Sequence, residues 1–119
     1  MARAMRPAEV AATLDRAADV LERDGWCRWG TQDTRGRKCV VGALCSAART
    51  PRRRGDAVVA FGKYLHEQQD TAALDSHSAA EWNDNQTDKR KVQRHLRRCA
   101  RMIRTNHSIS NETFQGSNK

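Results

Sequence analysis

The strongest pattern in this sequence is the helical one between Asp88 and Arg104. Its apolar residues recur at i, i+4, i+7 and i+11: Val92, Leu96, Cys99 and Ile103. Residues with this spacing share one face of an α-helix, and such a narrow apolar stripe has to be covered by another element. The chain is therefore predicted to pack helix against helix, with the opposite face of this last helix in solvent.

A first helix is predicted from Pro7 to Asp24. Proline suits the first helical turn because its missing N–H would have no partner there. Gly25 suits a helix end because glycine enters the left-handed region without a Cβ penalty. The polar segment that follows, residues 26–38, is predicted to form a loop or a short hairpin.

The middle of the chain carries weaker helical signals. The apolar run CVVGALCSAA predicts a buried helix that begins near Cys39. Thr50 to Gly55 is predicted to be an exposed basic connection, with Asp56 as the N-cap of a third helix. Ser78 and Glu81 have the spacing of a capping box, and only a short turn is expected after them.

These signals together predict a mainly α fold of about four helices. With 119 residues the chain suits one small domain, predicted at residues 1–104, and a disordered tail, predicted at residues 105–119. No segment has the apolar length of a membrane span or the apolar region of a signal peptide. A cytoplasmic protein is expected, without a membrane partner.

Positive charge is concentrated in two segments. Residues 28–54 and residues 88–104 each carry a net charge of +7, whereas the rest of the chain carries −6, so that the total is +8. Charge added only for solubility would be scattered, so this separation predicts a polyanionic or acidic partner.

On a helical wheel, the arginines of the last helix lie opposite its apolar stripe: Arg90, Arg94, Arg97, Arg101 and Arg104. They form a predicted ridge about 20 Å long at 1.5 Å per residue. Like charges at this spacing repel, and arginine makes bidentate contacts with phosphates and carboxylates. The ridge is therefore a candidate anion-binding surface, although a basic helix face can also be merely solvated. Three further arginines are a candidate second contact: Arg52, Arg53 and Arg54.

The four cysteines contain no CxxC pair, so neither a zinc site nor a disulfide framework is predicted. Cys39 is the one candidate nucleophile, because a helix N-terminus together with Arg37 and Lys38 would lower the pKa of its thiol. The alternative is a buried thiol at a helix start, and no histidine is placed beside it by the sequence. No catalytic residue, metal site or small-molecule cofactor is predicted.

The three tryptophans could stack nucleobases or fill the core. The chain has only two phenylalanines and one tyrosine, so Trp26 and Trp82 are predicted to be core residues. Trp29 is left open between the two roles.

Three blocks in this order resemble a small domain family of unknown function that is common in actinobacteria and their phages: Gly25-Trp26, Cys39-Val40-Val41-Gly42-Ala43-Leu44 and Trp82-Asn83-Asp84. The resemblance covers roughly residues 14–100. It implies a small, mainly helical domain of phage or accessory-genome origin, and it implies no activity.

The leading hypothesis from the sequence is a non-enzymatic binding protein that holds nucleic acid through the arginines named above. One alternative is a phage-type modulator that docks on an acidic surface of a host protein. The other is a cysteine-dependent enzyme that uses Cys39.

Overall fold

Five helices account for most of the part of the chain that the structure, a computed structural model, describes, which is residues 6–68 and 78–116. They are α1 (Pro7–Asp24), α2 (Val40–Ala47), α3 (Pro51–Glu67), α4 (Ser78–Asp84) and α5 (Lys89–Gly116). The mainly helical fold class is thus confirmed. The segment predicted to be only a short turn after Ser78 is a helix of seven residues.

Both ends of α1 are where the sequence predicts them. Pro7 stands in the first turn, and the Gly25 N–H closes the last turn by donating to the Leu21 carbonyl at 2.9 Å. Gly25 has a φ of 93°, which a residue with a Cβ rarely adopts. The chain then enters a loop, and two isolated backbone bridges join Lys38 to Trp26 and to Gln32.

The predicted start of α3 at Asp56 is wrong. The helix begins at Pro51, and the Thr50 hydroxyl accepts a hydrogen bond from the Arg53 N–H at 3.1 Å. A threonine N-cap followed by proline is a complete helix start, and Gly55 is tolerated inside the helix because it lies on the exposed side. The three arginines 52–54 therefore lie in the first turn of α3 and not in a connection.

The core forms where α1 is covered by the other helices. Helix α1 packs most extensively against α5, then against α2 and α3. The largest fully buried side chains come from four helices: Leu14, Leu21, Leu44, Phe61, Leu65 and Leu96. Trp82 closes this core from α4, with its ring 5.5 Å from that of Phe61 in an edge-on contact. Its predicted core role is confirmed, since only 2% of the residue is exposed.

The last helix is longer than predicted. The sequence pattern places its end at Arg104, whereas α5 continues to Gly116. No proline stands between these two residues, so nothing removes a backbone donor from the helical ladder. The predicted tail begins inside this extension, and its last part, residues 117–119, lies outside the described residues. No helix in the described ranges is long and apolar enough to cross a membrane.

Candidate functional site

The predicted arginine ridge of α5 is divided by the structure into two parts. All five of its arginines are exposed. However, Arg97 donates to Asp19 of α1 at 2.6 Å and lies 3.7 Å from Asp15. Arg104 also reaches Asp15, at 2.9 Å. These two arginines are thus ion-paired with α1, so the five arginines of the predicted ridge do not share one environment.

The same side of α5 carries three more contacts with α1. The Gln93 amide donates to the Ala18 carbonyl at 3.1 Å and to the Glu22 carboxylate at 3.0 Å. Lys89 lies 3.5 Å from that carboxylate. The hydrogen bond from Gln93, and then the charge of Lys89, hold the pKa of Glu22 below its ordinary value. We call this side the paired edge, formed by Lys89, Gln93, Arg97 and Arg104.

Arg98 joins the remaining arginines on the solvent side of α5. We call this set the outer arginines: Arg90, Arg94, Arg98 and Arg101. At 100° per residue they lie within a sector about 80° wide, and they extend about 17 Å along the axis. All four are exposed, and among the described residues none forms a carboxylate ion pair within 4.0 Å. Within the described part of the chain, the result is a stripe of guanidinium groups that no carboxylate contacts as an ion pair.

The three arginines of the second predicted contact, Arg52, Arg53 and Arg54, have different environments. Arg53 is half-buried and forms an ion pair with Glu9 of α1. Arg52 and Arg54 are exposed on the first turn of α3. The structure thus places one of these three arginines in a helix–helix contact and leaves two free to meet solvent.

Cys39 lacks the environment of an activated thiol. It is the N-cap of α2, and its Sγ accepts a hydrogen bond from the Gly42 N–H at 3.4 Å. Burial is the largest influence, and it raises the pKa of Cys39 above the ordinary value. Both nearby cations are already compensated, because Lys38 donates to Asp24 at 2.8 Å and Arg37 to Asp33 at 2.6 Å. The expected lowering of this pKa is therefore wrong.

A buried polar centre around Asn83 was missed by the sequence analysis. The Asn83 Oδ1 accepts hydrogen bonds from the Trp26 indole N–H at 2.7 Å and from the Val40 N–H at 2.9 Å. Its Nδ2 donates to the Cys27 carbonyl at 3.1 Å. This Asn83 centre, formed by Asn83, Trp26, Cys27 and Val40, joins the loop to the start of α2 and the end of α4. The signal in the sequence was an amide directly after a core tryptophan.

The tip of the loop is held at the junction between α4 and α5. The Asp84 carboxylate accepts a hydrogen bond from the Trp29 backbone N–H at 2.8 Å. The Arg28 guanidinium donates to the Gln86 carbonyl at 2.9 Å, and its carbon lies 5.1 Å from the centre of the Trp29 ring. Trp26 is partly buried against the core, as predicted, whereas Trp29 is 72% exposed.

The described residues contain no group of three or more His, Cys, Asp or Glu side chains that could hold a metal ion. The described residues thus present an exposed cationic stripe on α5 and an exposed tryptophan on a loop that is held at the α4–α5 junction. Guanidinium groups in this setting bind phosphate or carboxylate oxygens, and an exposed indole ring offers a stacking surface.

Comparison with curated proteins and with solved structures gives no match. A family model does match residues 5–102, which contain all five helices except the end of α5. The resemblance seen in the sequence to a family of unknown function is thereby confirmed, and the chain belongs to the family of unknown function DUF6197.

Proposed function

We propose that this protein is a non-enzymatic nucleic-acid-binding protein that contacts phosphates through the outer arginines. The observation that carries the proposal is the difference between the two sides of α5. On the paired edge, Arg97 and Arg104 are neutralised by carboxylates of α1. The outer arginines have no such counter-charge among the described residues, so their charge is available to a partner.

A polyanion would reduce the electrostatic repulsion between arginines of α5. Arg90 and Arg94, and Arg94 and Arg98, are like-charged pairs at i, i+4. Each such pair destabilises a helix by about 0.2–0.5 kcal/mol. Phosphates spaced along a nucleic-acid backbone would turn this repulsion into a set of charge-assisted hydrogen bonds. The net charge of +8 would also speed the encounter with such a partner.

Arg52 and Arg54 are a second phosphate contact in this proposal. Both are exposed, whereas Arg53 between them is held by Glu9. A protein with this function would act in the cytoplasm, or in the host cytoplasm if a phage encodes it.

The test compares two double variants of α5 that remove the same charge at the same spacing. Arg94→Gln with Arg101→Gln removes two outer arginines, and Arg97→Gln with Arg104→Gln removes two paired ones. Binding to a duplex DNA probe is measured by fluorescence anisotropy over a series of salt concentrations. For each lost phosphate contact, the slope of log affinity against log salt changes by about 0.9. We expect the outer double variant to flatten the slope by about 1.8, and the paired double variant to keep the wild-type slope.

Equal effects of the two double variants would show that position on α5 is irrelevant and would contradict the proposal. Failure of the wild-type protein to bind any nucleic acid at low salt would overturn it. In that case an affinity purification from nuclease-treated lysate would test the acidic-protein hypothesis. Loss of a captured protein partner in the outer double variant alone would make these arginines a protein-docking surface.

A further inference from the structure

Trp29 is the largest exposed apolar side chain in the described part of the chain, with 72% of its surface accessible. The other two tryptophans have clear structural roles, since Trp82 fills the core and Trp26 donates to Asn83. Leaving a large aromatic ring in water forgoes the hydrophobic stabilisation that its burial would bring. The Arg28 guanidinium lies over the ring, 5.1 Å from its centre.

The backbone at Trp29 is held in a conformation that does not suit it. Its φ of 72° is the only positive value at a residue other than glycine in the described ranges. Such a conformation costs energy and persists only where the surroundings impose it. Here the Asp84 carboxylate fixes the Trp29 N–H, and Arg28 is tied to Gln86. The loop tip thus presents the ring outward in a fixed position.

The position of the ring relates it to the cationic stripe. The Arg28 side chain ends on Gln86, which stands just before α5, and the first outer arginine, Arg90, lies in the first turn of that helix. Trp29 is therefore anchored at the α4–α5 junction, just before the helix that carries the outer arginines. An exposed aromatic ring next to a cationic track is the arrangement by which proteins hold single-stranded nucleic acid.

We propose that Trp29 stacks on a base of single-stranded nucleic acid whose phosphates continue along the outer arginines. This inference rests on the proposed function and narrows its substrate class. In a duplex each base face is covered by its neighbours, so an indole ring fixed on a loop has no free face to meet. In a single strand the faces are free, and stacking on them tolerates any sequence because every base has a π-face.

The experiment uses four probes of equal length: oligothymidine DNA, oligouridine RNA, an abasic DNA strand and a DNA duplex. Two variants report on the ring. Trp29→Gly removes the ring and suits the positive φ, so the loop should keep its shape. Trp29→Phe keeps a smaller aromatic ring. Val59→Ala is the matched control, because Val59 is an exposed apolar side chain elsewhere, on α3, and 51% of its surface is accessible.

We expect Trp29→Gly to lose about 5- to 150-fold in affinity for the base-containing single strands. Affinity for the abasic strand and the duplex should stay within about twofold of wild type, because those contacts are made by arginines. The affinity of Trp29→Phe for the base-containing strands should lie between those of wild type and Trp29→Gly. The affinity of Val59→Ala should match that of wild type. A loss confined to the RNA strand, or to the DNA strand, would support stacking and identify that strand as the ligand.

Unchanged affinity of Trp29→Gly for both base-containing strands would overturn the stacking proposal. If the outer double variant still weakened binding in the same assay, the proposed function would stand without it. An equal loss on all four probes would also overturn stacking, because abasic sites offer nothing to stack on. Absence of wild-type binding to every probe would instead overturn the proposed function and this inference together.

Discussion

The Asn83 centre and the outer arginines are both dense groups of polar side chains, and they differ in where their partners are. At the Asn83 centre the amide is fully buried, and both ends of it are bonded to chain segments distant in sequence. The outer arginines are exposed and have no carboxylate partner among the described residues. Burial requires each polar group to have a partner inside the protein, whereas water satisfies an exposed one. Variants in the first region should therefore change folding, and variants in the second should change binding.

The largest effect is expected from Asn83→Leu, a change to an apolar side chain of similar size. It would leave the Trp26 indole N–H, the Val40 N–H and the Cys27 carbonyl without their partner. Each unsatisfied buried group costs about 1–3 kcal/mol. Their sum approaches the whole free energy of unfolding of a small domain, which is about 5–15 kcal/mol. Urea unfolding followed by circular dichroism measures the loss.

The matched control is Asn85→Ala, two positions along the chain. The Asn85 amide donates to the Glu81 carbonyl at 3.1 Å in an exposed setting, where water replaces it. We expect a change below about 1 kcal/mol. Equal unfolding free energies for the two variants would show that burial does not distinguish these residues.

The second effect separates the buried tryptophan from the exposed one. Trp82→Ala should lower the unfolding free energy by about 3–5 kcal/mol. This loss is one of packing, because the Trp82 indole N–H has no hydrogen-bond partner in the described ranges. Trp29→Gly should not lower the unfolding free energy, because the ring is exposed and glycine adopts the positive φ without a Cβ penalty. Thermal melting compares the stability of both variants with that of wild type. A Trp82→Ala protein that melts at the wild-type temperature would contradict the assignment of Trp82 to the core.

Two helical glycines extend the comparison to the backbone. A Cβ at Gly42 of α2 would collide with the Thr31 carbonyl oxygen, whereas a Cβ at Gly55 of α3 meets nothing within 4 Å. Gly42→Ala should therefore cost about 1–3 kcal/mol, as overpacking does. Gly55→Ala should raise stability by about 0.5–1 kcal/mol, because alanine is the better helix former. Chemical denaturation of the two variants measures whether each unfolding free energy falls or rises. A stabilised Gly42→Ala protein would show that the loop does not pack tightly against α2.

The smallest effect on stability is expected from the two double variants of α5. Loss of the exposed ion pairs in Arg97→Gln with Arg104→Gln should cost about 0.2–1 kcal/mol per pair at low salt. Loss of the outer pair in Arg94→Gln with Arg101→Gln should leave stability unchanged or slightly higher, because repulsion is relieved. Melting in low and in high salt measures the difference, which should shrink as salt screens the charges. A larger loss in the outer double variant would mean that those arginines have structural partners.

Local signals in the sequence were sufficient for α1. Pro7 and Gly25 act on their own turns of the helix, so their effect does not depend on the rest of the fold. The start of α3 is also local, and it was missed because Gly55 suggested an interruption that Thr50 and Pro51 outweigh.

Contacts between distant segments could not be predicted in this way. A helical wheel gives the direction of Arg97 around α5, but it does not give the position of Asp15 and Asp19, which depends on how α1 lies against α5. Arg98 was left out of the ridge for a local reason, because it lies about 40° beyond Arg94 on the wheel. Asn83 takes its partners from 43 and 57 positions away, and its own neighbours suggest only a turn.

The packing of α1 on α5 has a consequence for the synthesis of this protein. Helix α1 finds its most extensive partner in α5, which is synthesised after α2, α3 and α4. While the chain is still growing on the ribosome, the Leu14 and Leu21 side chains of α1 have only α2 and α3 to cover them. Contacts of such long sequence separation slow folding and leave apolar surface open in the meantime. The nascent protein should therefore stay susceptible to proteases and chaperones until α5 has left the ribosomal tunnel.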